Sequence, residues 1–205
     1  RAAVSEALGL RVGLENDGIA AANGEWKFGA GRGLSHLVYV TVSTGIGGGV
    51  IVDGKLMRGR RGMAGHVGHL MIDPNGPRCA CSGRGCFEAH ASGTALGEAG
   101  RAQGFADAKS IVAAARAGNE AALALLDQEA DFLAYGFASL LHLYSPEKLI
   151  IGGGVSQALD LMADRIRARI MELAMPPFRD VQVVRAALGE NAGLAGMGGL
   201  VFGGM

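Results

Sequence analysis

An α/β fold is what this sequence predicts, and three observations predict it. Two apolar, β-branched runs, 36–42 and 148–151, each lead into a glycine-rich turn, at 43–49 and 152–154. Between them, residues 108–144 carry apolar side chains at helical spacing, as Leu123, Leu126, Ala130, Leu133, Phe137, Leu140 and Leu141 show. A strand-to-helix junction, Glu15-Asn16-Asp17-Gly18, stands near the start. Strands that alternate with helices are the mark of this class.

In chain order, residues 2–8 read as the end of a helix closed by Gly9, and residues 11–15 as a short strand. An opening of this kind has the pattern of mid-domain sequence, and the expectation is that an N-terminal part lies outside this chain. The alanine-rich stretch 19–27 reads as a helix, with Asn16 and Asp17 at its N-terminus. Asp17 has two readings there. It can cap the helix, satisfying backbone N–H groups and complementing the dipole, or it can serve as a general base at the mouth of a strand. The local pattern alone favours the cap.

Residues 34–53 read as a β-hairpin with the glycine run at its turn. That run is open to two readings. It can be a flexible turn, or its backbone N–H groups at Gly45 and Gly47 can approach phosphate oxygens, with the Thr44 hydroxyl as a further donor. The second run, Gly152-Gly153-Gly154, follows a buried-strand pattern and precedes a helix, the form of a nucleotide site at a helix N-terminus. Two such runs in one chain strengthen each other.

Helices are expected at 108–117, 120–144 and 156–173, the last stopping before Pro176-Pro177. A short strand at 181–185 and a small-residue helix at 192–202 complete the pattern. His36, His90 and His142 fall on or near these elements without partners in sequence and take structural or surface roles.

All three cysteines and two of the five histidines lie in residues 64–88, AGHVGHLMIDPNGPRCACSGRGCFE. His69, Cys79, Cys81 and Cys86 offer one imidazole and three thiolates, a donor set that suits tetrahedral zinc. The competing reading is three small buried thiols, but Gly76, Pro77, Gly83 and Gly85 leave little apolar surface to bury them. Four protein ligands close a zinc site, so this metal would brace a loop and take no part in the chemistry.

Composition narrows the function further. The chain has 205 residues, 49% of them hydrophobic, with 19 Lys+Arg against 19 Asp+Glu. That suffices for one large domain or two small lobes, and no basic run marks a nucleic-acid or anionic-membrane surface. An odd number of cysteines, no signal peptide and no apolar run of membrane-spanning length point to a reducing cytoplasm.

These motifs together resemble the ROK family (repressor, open reading frame, kinase). The markers are Glu15-Asn16-Asp17, Ser43-Thr44-Gly45-Ile46-Gly47-Gly48-Gly49, Gly65-His66-Val67-Gly68-His69, the His-Cys-Cys-Cys spacing, Gly85-Cys86-Phe87-Glu88 and Ile150-Ile151-Gly152-Gly153-Gly154. The resemblance implies a ribonuclease-H-like, actin-like fold with two lobes. On that pattern residues 1–31 would be the remnant of the small lobe, 32–190 the large lobe with its zinc loop at 66–88, and 191–205 a helix returning to the small lobe. The resemblance also implies an ATP- and Mg²⁺-dependent sugar kinase acting at the 6-hydroxyl. Asp17 matches its catalytic base, while Asn16, His66, His69 and Glu88 match positions that face the sugar. Thr44, Gly45, Gly47, Gly152, Gly153 and Gly154 match the ATP-binding turns. Set in that context, the reading of Asp17 moves from cap to base. A homodimer is a further implication of the family.

Departures from the family pattern carry information. Most members have Glu where this chain has His66, and an imidazole can donate as well as accept. His66 and the runs 73–77 and 88–93 resemble the family's bacterial N-acetylmannosamine kinases most. N-acetylmannosamine therefore ranks first as substrate, with glucose or N-acetylglucosamine second. Ser82 stands where the family has Gly, which is costly if that position needs φ > 0. The family's Asp-x-Gly-Gly-Thr phosphate loop does not precede Leu14. The sugar-sensing domain of a ROK-type repressor, with its DNA-binding segment elsewhere, and an inactive sugar-binding domain are the competing expectations.

Overall fold

The computed structural model describes residues 1–202. Helix α1 (Ala2–Leu8) ends at Gly9, whose φ of 63° gives the left-handed cap that a glycine supplies without strain. No residue of α1 is buried. Residues 11–15 were expected as a strand, but they form no regular element and pair with no strand of the sheet. β-propensity without a neighbouring strand to bond leaves a chain extended and no more.

Helix α2 (Asp17–Phe28) buries Ile19, Ala20, Ala21 and Ala22, and the small alanines let it lie close to the sheet. The sheet is built from β1 (Leu37–Val42), β2 (Ile46–Val52), β3 (Lys55–Leu56), β4 (Lys148–Gly152) and β5 (Gln182–Arg185), in the spatial order β3-β2-β1-β4-β5. β1 runs antiparallel to β2 and parallel to β4, which runs parallel to β5. The register opposite β4 sets Thr41 beside Gly152, so the C-terminal ends of β1 and β4 lie together. The crevice outside such strand ends is where α/β sheets bind ligands.

The glycine run differs from its expected form. Only Ser43, Thr44 and Gly45 make the hairpin turn, while Gly47, Gly48 and Gly49 belong to β2. The reason is close packing. A Cβ on Gly18 would lie 2.6 Å from the Gly48 nitrogen, and one on Gly49 would lie 2.5 Å from the Ala22 Cβ. Helix α2 therefore rests on the strand's backbone itself.

Alternation along β1 separates two cores. Val38, Val40 and Val42 join Leu149 and Ile151 on one face, beneath α3 (Phe87–Ala91), α4 (Gly93–Arg101), α5 (Ala108–Arg116), α6 (Glu120–Tyr144) and α7 (Leu159–Leu173). Leu37, Tyr39, Ile51 and Ile150 line the other face with Ala21, Ala22 and Ala192, under α2 and α8 (Ala192–Phe202). The two helices on this face meet through glycines, since a Cβ on Gly24 would overlap the Ala192 carbonyl and one on Gly196 the Ala20 carbonyl. Asn23 donates to the Gly196 carbonyl at 2.8 Å and fixes the crossing. Residues 203–205 of the expected C-terminal helix lie outside the described residues.

Helix α6 has the bounds that its periodicity predicts, and so does α8 over the described residues. Helix α7 starts three residues later than expected, because 154–158 form a 3₁₀ turn after the glycines. The short helices α3 and α4 carried too few turns to declare a period.

Candidate functional site

The site residues gather around the first half of β2. At its α2 side, Asn16 is the N-cap, accepting from the Gly18 and Ile19 N–H groups at 3.0 and 3.2 Å. The local pattern had favoured Asp17 for that role. Asp17 is instead the first helical residue, with one oxygen accepting from Gly18 N–H at 2.8 Å and the side chain exposed. Arg58 pairs with the preceding residue, Glu15, at 2.9 Å, which holds the entry to the helix in place.

The 3₁₀ turn at Val67–His69 touches the same strand. A Cβ on Gly48 would lie 2.7 Å from the Val67 side chain, and one on Gly68 would overlap the Ile46 carbonyl. That contact brings exposed His66 and His69 to the start of β2, with their rings near parallel at 9° and 6.2 Å between centroids. Glu88, in the first turn of α3, accepts the Ile46 N–H at 2.9 Å through one oxygen. Its other oxygen lies 3.8 Å from the Cys79 sulfur. Asn16, Asp17, His66, His69 and Glu88 thus converge on one short stretch of backbone.

The four expected ligands also come together. Donor atoms of His69, Cys79, Cys81 and Cys86 all lie within 4.8 Å of one another. Cys81 and Cys86 sulfurs are 3.6 Å apart, and Cys79 sulfur is 3.7 Å from His69 Nδ1. A tetrahedral zinc with bonds of about 2.0–2.3 Å separates its donors by roughly 3.5–3.8 Å, so the set fits that ion. His69 uses Nδ1 towards the thiols, which leaves Nε2 on the far side of the ring.

The three thiols act on one another's charge. Burial and the neighbouring thiols push Cys86 up to about 12, while the Gly83 N–H and the other two thiols lower exposed Cys81. Three thiolates this close repel one another unless a metal neutralises them. The loop's own backbone bonds, Cys79 N–H to the Gly83 carbonyl at 2.9 Å and Ser82 N–H to the Cys79 carbonyl at 3.0 Å, shape the turn around them.

The two glycine turns occupy neighbouring strand ends. Thr44 is exposed and Gly45 half-buried in the hairpin turn, whereas Gly47 lies within β2. Gly153 has a φ of 81° and packs against the Val42 carbonyl at the end of β1, and the next residue, Gly154, is exposed. Gly152 is buried and contributes closeness, since a Cβ there would overlap the Tyr39 hydroxyl. The site is an open face. Grooves of about 540 Å³ between α7 and β5, and about 600 Å³ between α2 and α8, are lined by none of its residues.

The remaining histidines do not join the site. His90 stacks on Phe132 at 4.5 Å, His142 accepts the Met175 N–H at 3.1 Å, and His36 lies 3.6 Å from Asp53. Sequence reasoning gave no site role to Gly93 and Thr94, which bond to the hairpin turn's carbonyls. Only the three-dimensional return of α4 onto that turn reveals them. No helix among the described residues is long and apolar enough to cross a membrane.

Comparison with known proteins identifies relatives along most of the chain. The ROK family model matches residues 1–203. A glucokinase from Thermotoga maritima is 40% identical over 211 aligned positions, covering 94% of this chain and 66% of the glucokinase. An N-acetylmannosamine kinase from Citrobacter koseri is 39% identical, covering 92% of this chain and 64% of that protein. The crystal structure of a ROK family glucokinase from Streptomyces griseus, in complex with glucose and AMPPNP, superposes with a TM-score of 0.85 at 36% identity, over 98% of this chain and 71% of that one. The chain spans about two thirds of the length of these curated relatives.

Proposed function

This chain belongs to the ROK family, and on that premise we propose that it serves an ATP-dependent sugar kinase that phosphorylates the 6-hydroxyl of a hexose or N-acetylhexosamine, N-acetylmannosamine first among them. One observation carries the reading. Asn16 takes the capping duty, so the Asp17 carboxylate stays exposed at the mouth of α2, over the same strand that Glu88 and the His66–His69 turn adjoin. A carboxylate so placed is able to accept the proton of an attacking hydroxyl.

The other residues position the reactants, which is where most of the catalysis of phosphoryl transfer lies. Asn16, His66, His69 Nε2 and Glu88 would bind sugar hydroxyls. The Ser43–Gly45 turn, with Gly153 and Gly154, would present backbone N–H groups and the Thr44 hydroxyl to phosphate oxygens. Bound Mg²⁺ATP supplies the phosphoryl group and neutralises its charge. Zinc on His69, Cys79, Cys81 and Cys86 would hold the loop that carries the sugar-facing imidazoles.

Similarity does not rank the sugars, because the glucokinase and the N-acetylmannosamine kinase are 40% and 39% identical. The ranking rests on His66 together with the runs 73–77 and 88–93. The test is ADP release from Mg²⁺ATP against N-acetylmannosamine, N-acetylglucosamine, glucose and mannose. Turnover on one sugar is expected, with Asp17→Asn lowering kcat by about 10²–10⁴-fold. Folded, metal-loaded protein that turns over none of the four would sink the kinase reading and favour a sugar-sensing role.

A further inference from the structure

The turn that would face the phosphates is not free. Its carbonyls are held by residues that nothing above assigns to the reaction. Gly93 N–H donates to the Ser43 carbonyl at 2.7 Å. The Thr94 hydroxyl donates to the Thr44 carbonyl at 2.7 Å, and the Thr94 N–H lies 3.4 Å from the same oxygen. Close approach is required, since a Cβ on Gly93 would lie 2.7 Å from the Ser43 carbonyl oxygen. On the far side of the turn, Glu88 holds the Ile46 N–H at 2.9 Å. Both clamps arise from one continuous piece of chain. Cys86 is the N-cap of α3, Glu88 lies in its first turn, and Ser92 ends α3 while its side chain caps α4 at the Ala95 N–H. A metal ligand and the clamp on the turn are therefore joined by one helix of five residues.

We propose that Thr94 is a positioning residue for nucleotide binding, the end of a strut that runs from Cys86 through α3 and fixes the Ser43–Gly45 turn, so that the metal loop and the nucleotide site are energetically coupled. The proposal rests on the kinase reading. A Thr44 carbonyl left with only the longer Thr94 N–H contact would let the turn tilt, and backbone N–H groups that no longer converge bind phosphate less well. By linkage, nucleotide binding must in turn strengthen retention of the metal.

The experiment measures AMPPNP affinity by calorimetry, and zinc extraction by a chromogenic chelator, on the full chain, Thr94→Val and Thr94→Ser. Loss of one such hydrogen bond should weaken AMPPNP binding by about three- to tenfold in Thr94→Val, with the sugar KM unchanged. Thr94→Ser, which keeps the hydroxyl, should restore it. AMPPNP should slow zinc extraction from the unmodified chain and not from Thr94→Val. An unmodified chain that binds AMPPNP no better than Thr94→Val does, or zinc release indifferent to nucleotide, overturns the proposal and leaves the kinase standing. An unmodified chain that binds no AMPPNP overturns both.

Discussion

Ser82 sits at a φ of 72°, in the left-handed region that a side chain enters only at a cost. It is exposed and its side chain makes no bond that would offset the strain. Ser82→Gly should therefore raise stability by about 0.5–1 kcal/mol, net of the freedom that glycine adds to the unfolded chain. Chemical denaturation with metal bound would show it, and an unchanged midpoint would refute the strain. His66 is the other residue whose identity matters alone. An ionised carboxylate accepts only, whereas an imidazole can also donate towards an N-acetyl carbonyl. His66→Glu should shift kcat/KM towards unacetylated hexoses by about tenfold or more, the scale that one polar contact sets, and equal ratios across sugars would count against it. Single residues were legible where chemistry is local: three thiols and an imidazole in one loop make a donor set that can hold a metal, and their donor atoms do come together. The capping residue was not, because Asn16 and Asp17 suit a helix start equally well in sequence, and the structure gives the cap to Asn16.

At the scale of elements, α6 was readable in full because 25 residues give seven turns in which the apolar stripe can repeat. That stripe conceals an exception. Glu129 is 2% exposed, and one of its oxygens has no hydrogen-bond partner among the described residues. Burial raises its pKa well above the usual carboxylate range, so the folded state holds the neutral acid. The sign follows. The unfolded chain releases this proton near pH 4 and the folded one only at higher pH, so stability falls as pH rises between the two values, by up to about 1.4 kcal/mol per pH unit. Glu129→Gln should match the parent at acidic pH and exceed it towards neutrality. A constant difference in urea midpoint across pH would show that Glu129 does not titrate there. The glycines of β2 were misread as turn because period-2 alternation has no signal in residues without side chains. Their packing against α2 became visible only with both elements in place.

In the whole molecule, the sheet has its own core on each face, and the cysteine segment 79–86 belongs to neither, while Val67, Ile72 and Phe87 around it join one of them. Metal removal should therefore leave the helical and strand signal of far-ultraviolet circular dichroism nearly intact. It should speed tryptic cleavage at the exposed Arg78 and Arg84, since no ion would then tie His69 and the three cysteines together. Cleavage at equal rates with and without chelator would show that the loop stands unaided. Fold class was plain from the alternation of strands and helices, but the division of labour between the sheet's faces was not, because it depends on which distant segments return.

One such return sets the order in which the molecule can be made. Asn23 bonds to Gly196 across 173 residues, and buried Glu25 satisfies its oxygens with the Ala187 and Leu188 N–H groups at 3.0 and 2.7 Å. Until residues 187–196 have been made, α2 carries a buried-type carboxylate and amide still seeking partners. The helix that presents Asp17 completes its packing only then, so a polypeptide halted before α8 emerges should hold α2 less firmly and lean on a chaperone.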